Sequence, residues 1–69
     1  MNATAYAYRV ASERGRLILR ELMADAKFHL EQENVTAVAT YLKVGDKIMK
    51  DLVEHFEWLA KDAEERNVQ

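Results

Sequence analysis

From Val38 to Ala63 the chain places apolar or small residues at alternating steps of four and three: Val38, Leu42, Gly45, Met49, Leu52, Phe56, Leu59 and Ala63. This spacing keeps one stripe on one side of an α-helix, whereas a half-buried strand needs a step of two. It predicts a helix over about residues 36–66, packed lengthwise against a second helix as in a coiled-coil seam.

Little in the chain interrupts helix. Proline is absent, and the only glycines are Gly15 and Gly45. A first helix is predicted over about residues 3–32. Its main stripe is Tyr8, Ala11, Gly15, Ile18, Leu22 and Ala26, widened by Leu19, Met23 and Leu30. The strongest breaker is Glu33-Asn34-Val35-Thr36, where Asn34 or Thr36 can cap the second helix. A turn at about 33–35 then joins the two as an antiparallel hairpin. Folding there brings Gly15 level with Leu52 and Gly45 level with Leu22, small against large. Gly45 falls on the seam without shifting its phase, which favours one continuous second helix. A kink at Gly45, or a fresh helix from Asp46, is the alternative.

Length decides how such a hairpin can be stable. The 69 residues form one domain, 1–69, and ordering each costs roughly 1.5 kcal/mol, which so short a chain barely offsets by burial. Disulfides and thiolate metal sites are excluded because cysteine is absent. Self-association is the remaining support. The apolar pattern agrees, because each helix has more apolar surface than one neighbour covers. Val10, Leu17, Ala24 and Phe28 form a second stripe on the first helix, while Val44, Ile48 and Trp58 lie beside the seam of the second. The expected core is Ile18, Leu22, Leu52 and Phe56. Val10, Leu17, Phe28, Val44, Ile48 and Trp58 are left for an oligomer or partner interface. The fold class is therefore all-α: a two-helix antiparallel hairpin that assembles with copies of itself into a four-helix or larger bundle.

One short pattern occurs twice. Met23, Asp25, His29 and Glu31 repeat as Met49, Asp51, His55 and Glu57. Asp and His four apart share a helix face, so each pair offers two metal ligands. In an antiparallel dimer, Asp25 and His29 of one copy would meet Asp51 and His55 of the other. The plainer reading is a modest electrostatic contact at each helix surface. Di-iron bundles use Glu-x-x-His, a spacing absent here. At an interface the same histidines are also candidates for a protonation switch of the assembly, and satisfied contacts with no switching role are the plainer reading.

Basic residues also group. Arg9, Arg16 and Arg20 share one side of the first helix, and Lys43, Lys47 and Lys50 run along the second. They are candidates for nucleic-acid or other anion binding. Glu13, Asp46, Glu54 and Glu57 interrupt the patch, and no aromatic is interleaved for stacking. The net charge of −2 supplies no field toward nucleic acid or an anionic membrane. Tyr6, Tyr8 and Trp58 are expected to gather at the open end of the hairpin, near Arg9.

Catalytic apparatus is not expected. There is no glycine-rich phosphate loop, nucleophile elbow or cysteine–histidine pair, and the one serine, Ser12, has no base beside it. No cofactor is implied. No apolar run approaches the roughly 18 residues of a membrane span, and no secretory signal opens the chain, so a cytoplasmic protein without membrane partners is expected. In outline, a hairpin that pairs into a bundle resembles the RNA-binding helical-hairpin dimers of plasmids, a likeness of shape that transfers no residue. The function expected from the residues is a non-enzymatic, self-associating helical module that binds another macromolecule, a protein first. Alternatives are a small nucleic-acid-binding dimer and a metal- or ligand-binding bundle.

Overall fold

Two asparagines start the two rods. A computed structural model, which describes residues 2–67, places helix α1 over Ala3–Glu31 and helix α2 over Val35–Ile48. The side-chain oxygen of Asn2 accepts from the Ala5 N–H at 3.1 Å, and that of Asn34 accepts from the Ala37 N–H at 3.2 Å. Each satisfies a first-turn donor that has no partner inside its helix. Between the rods, the Glu33 N–H donates to the Leu30 carbonyl and the Asn34 N–H to the His29 carbonyl. With Glu33 left-handed at φ 59°, this is the paired-bond ending usually built on glycine.

The second rod continues past α2 without leaving helical dihedrals. Ile48, Met49 and His55 all lie in the right-handed region, yet Met49–Glu54 is π-helical, and α3 follows over His55–Asn67. The His55 N–H reaches back five residues, to the Lys50 carbonyl. Gly45, considered above as a kink, sits inside regular α2. The departure from α geometry begins at Met49 instead. No strand occurs among the described residues.

The rods lie antiparallel, and the Asn2 side-chain amide donates to the Ala63 carbonyl at 2.8 Å, tying the open end. The hairpin is long and flat, with Cα extents of 54 × 15 × 9 Å. Its radius of gyration is 15.6 Å, where a compact chain of this length has about 11 Å.

The seam between the rods is made of small residues. Ala5, Ser12, Gly15 and Ala26 are buried on α1, and Gly45, Val53 and Ala60 on the second rod. This corrects the expected core: Ile18 and Leu52 remain 43% and 36% exposed, and Leu22 and Phe56 are only half-buried. On the second rod the π segment is the physical reason, whereas Ile18 stands about 100° from the line of Ser12, Gly15 and Leu19 by the phase of α1 itself. A π turn takes in one extra residue, which rotates everything after it by about 100° relative to a continuous α-helix. Seven-residue steps from Gly45 would have faced Leu52 and Leu59 inward; the insertion turns Val53 and Ala60 inward instead.

That substitution lets the backbones approach. A Cβ on Gly15 would stand 3.0 Å from Val53 Cγ2 and 3.2 Å from Leu52 Cβ, so Gly15 does lie level with Leu52. Gly45 lies against Met23 and Leu19, rather than Leu22. The Ser12 hydroxyl, buried in the seam, has two acceptors within reach, the Val53 carbonyl at 3.3 Å and Glu57 Oε1 at 3.4 Å, so its hydrogen bonding is satisfied and a carboxylate does stand beside it.

Candidate interaction surface

Each helix advances 100° per residue, so positions on α1 sort into flanks around the seam line of Ser12, Gly15 and Leu19. Arg9 and Arg16 fall on one flank. Across the seam, Arg9 pairs with Glu64 at 2.6 Å, and Arg16 pairs with Glu57. These pairs identify the matching flank of α3. Ala11 and Ile18 lie two residues beyond Arg9 and Arg16, and therefore fall on the opposite flank. Leu59, two beyond Glu57, faces the same way on α3.

The electrostatics of the ion-paired flank are simple. Arg16 holds the Glu57 carboxyl below the usual carboxylate range, chiefly through its hydrogen bond, and Arg9 does the same to Glu64. The same two hydrogen bonds raise both guanidinium groups. All four side chains remain well exposed to solvent.

The opposite flank is apolar. Val44, Lys47, Ile48, Asp51 and Leu52 line a shallow groove of about 270 Å³ there. Toward the open end, Tyr8, Thr4, Trp58 and Leu59 line a second groove of about 510 Å³. Tyr8 stacks on Phe56 with ring centroids 5.9 Å apart. Of the three aromatics expected at this end, Tyr8 and Trp58 share the groove, whereas Tyr6 is exposed away from it.

The residues singled out for an interface do not form one surface. Val44 and Ile48 belong to the apolar flank. Leu17 and Phe28 project from the outer side of α1, 53% and 58% exposed, with the half-buried Val10 on the same side. Trp58, at 62% exposure, stands at the outer edge of α3 and borders grooves on both sides. None of these large side chains is enclosed within the single chain. Ile18 and Leu52, expected in the core, lie at the surface, and Leu59 is half-buried at its edge; the π insertion displaces Leu52 and Leu59, and the phase of α1 displaces Ile18.

Of the six cations considered for anion binding, four already hold a carboxylate. Besides Arg9 and Arg16, Lys47 pairs with Asp51 at 3.4 Å and Lys50 with Asp46 at 3.2 Å. Arg20 and Lys43 have no ion pair among the described residues.

The Asp/His echo is split between the rods. His29 stacks on Tyr41, with centroids 5.4 Å apart, and Asp51 is turned to Lys47. Among the described residues of one chain, no three carboxylates or histidines gather as a metal cluster. Asp25 and His55 are exposed on their helices. A composite site would need a second chain. No helix is long and apolar enough to cross a membrane among the described residues.

Compared with protein-family models, with curated proteins and with solved structures, the chain has no significant match.

Proposed function

We propose that this chain is a non-catalytic helical module that associates with itself and acts by binding another macromolecule, a protein. One observation carries the reading: the fully buried residues of the seam are small, and many of the large apolar side chains are left exposed. Ala5, Ala26, Val53 and Ala60 are the buried apolar residues, whereas Leu17, Phe28, Leu42 and Trp58 each remain more than half exposed. Apolar surface of this extent on a small protein marks a contact surface. Short chains without disulfides need such contacts to fold stably.

Two separate apolar surfaces support two roles, one for association between copies and one for a partner. The outer side of α1, with Tyr6, Leu17 and Phe28, is the partner surface in this reading. Regularly spaced apolar side chains along a helix are how a helix packs against another protein. Nucleic-acid binding ranks below, because Arg9, Arg16, Lys47 and Lys50 are each neutralised by a neighbouring carboxylate.

The test is photocrosslinking in the producing cell, with a photoreactive residue at Phe28 and a control at the exposed Glu13. A discrete protein adduct at Phe28, lost on Leu17→Glu and absent from Glu13, is expected. Adducts with nucleic acid only, or equal labelling at both positions, would overturn the partner role. Sedimentation of the purified chain reports the self-association separately.

A further inference from the structure

The self-association proposed above leaves its surface unassigned. We infer that two copies meet through the flank opposite the Arg9–Glu64 and Arg16–Glu57 pairs, and that the occupant of this flank is a second copy of this chain. The contact residues are Ala11 and Ile18 on α1 and Val44, Ile48, Leu52 and Leu59 on the second rod.

Area gives the first argument. The chain exposes 5460 Å². A folded monomer of 8.0 kDa exposes about 4,450 Å², so the surplus is roughly 1,000 Å². A stable interface buries about 800 Å² on each partner. The surplus of one hairpin is thus the amount that a twofold pairing of two hairpins removes.

Shape and charge agree. Two rods side by side make a flat slab only 9 Å deep in Cα extent, and a second slab laid on its face makes four helices around one core. The groove between Val44, Ile48 and Leu52 supplies a depression for the partner's side chains. Along the margins, helical phase places Arg14, Glu21 and Asp25 on α1, and the mutually paired Lys47 and Asp51 on the second rod. Both signs of charge occur there, so a twofold pairing can set Arg14 of one copy against an acidic residue of the other. On the other flank, the charged side chains of the open half are already committed to each other within one chain.

The π segment builds the surface. It turns Val53 and Ala60 into the seam and leaves Leu52 and Leu59 outside, on the flank that already carries Ile18 and Ile48. One inserted residue therefore permits close approach of the rods and supplies leucines for the contact between copies. A second copy is also the one occupant present whenever the chain is made. A surface needed for folding requires such an occupant.

The experiment uses the full chain, which has no cysteine of its own. Ile48→Cys and Leu17→Cys are each alkylated across a range of protein concentrations, with sedimentation run in parallel. On passing from the dilute chain to the dimer, Ile48→Cys should react on the order of tenfold more slowly, while Leu17→Cys, still exposed in the folded hairpin, slows far less. In addition, Ile48→Glu should abolish the dimer and Leu17→Glu should retain it. A dimer with Leu17→Cys protected and Ile48→Cys reactive overturns the choice of face and leaves self-association standing. A chain that is monomeric and folded throughout overturns both. Protection of Ile48→Cys only in a cell extract assigns the flank to a different protein, and overturns the inference.

Discussion

The two glycines are expected to respond to alanine in opposite directions, and the difference follows from what stands opposite each. In a helix interior, Gly→Ala stabilises by about 1 kcal/mol through propensity alone. At Gly45 the new Cβ would meet the Met23 terminal methyl at 2.9 Å and Leu19 Cδ1 at 3.4 Å. Met23 is unbranched and partly exposed, so it swings aside at small cost, and most of the gain survives. At Gly15 the Cβ would meet Val53 Cγ2 at 3.0 Å and Leu52 Cβ at 3.2 Å. Val53 is fully buried and stiff at χ1, and a Cβ moves only with its backbone. Overpacking of this kind costs about 1–3 kcal/mol, which leaves Gly15→Ala destabilised by up to about 2 kcal/mol. For a domain of this size each kcal/mol moves Tm by roughly 4–8 °C. Circular-dichroism melts at one fixed protein concentration should therefore show Gly45→Ala above wild type and Gly15→Ala below it. A Gly15→Ala chain that melts as high as Gly45→Ala would refute the close approach of α1 to the π segment.

Three further outcomes are expected. Asn34→Ala removes the oxygen that caps α2 and should lower stability by about 1 kcal/mol in the same melts; an unchanged Tm removes the cap from the account. Glu33→Gly relieves a left-handed residue and should raise stability by about 1 kcal/mol, and a decrease would contradict the turn geometry. The third concerns acid. Glu57 and Glu64 are held below their ordinary values when folded, so they bind protons less readily than in the unfolded chain. Their contribution is complete above the usual carboxylate range and is lost as pH falls through the lowered folded-state values. Tm should drop across that window, and Glu57→Gln should flatten the drop; a variant with the wild-type acid profile would exclude Glu57 as a source.

Much of this architecture was legible from spacing alone. The absence of proline, the long 3.6-residue periodicity and the cap at Asn34 specify two helices and the turn between them. What spacing concealed was the one-residue insertion at Met49–Glu54. Leu52 and Leu59 continue a perfect heptad, so periodicity favoured them for the seam. The competing signal was smaller side chains: Ala5, Ser12 and Ala26 recur in sevens on α1, and Val53 and Ala60 do so on the second rod. Close packing of small residues won over the burial of leucine, and it moved the leucines outward. The cation pairs divide in the same way. Lys47–Asp51 and Asp46–Lys50 are four-residue contacts visible in sequence. Arg9–Glu64 and Arg16–Glu57 depend on the register between rods, which the π segment sets.

If this hairpin is stable only with its apolar flank covered, as proposed, its folding depends on protein concentration. Sedimentation equilibrium and thermal melting of the purified chain over a wide concentration range test it together. A dimer or larger assembly is expected, with a Tm that falls on dilution and helix that is lost as the subunits separate. A cooperatively folded monomer whose Tm does not change with concentration would contradict it.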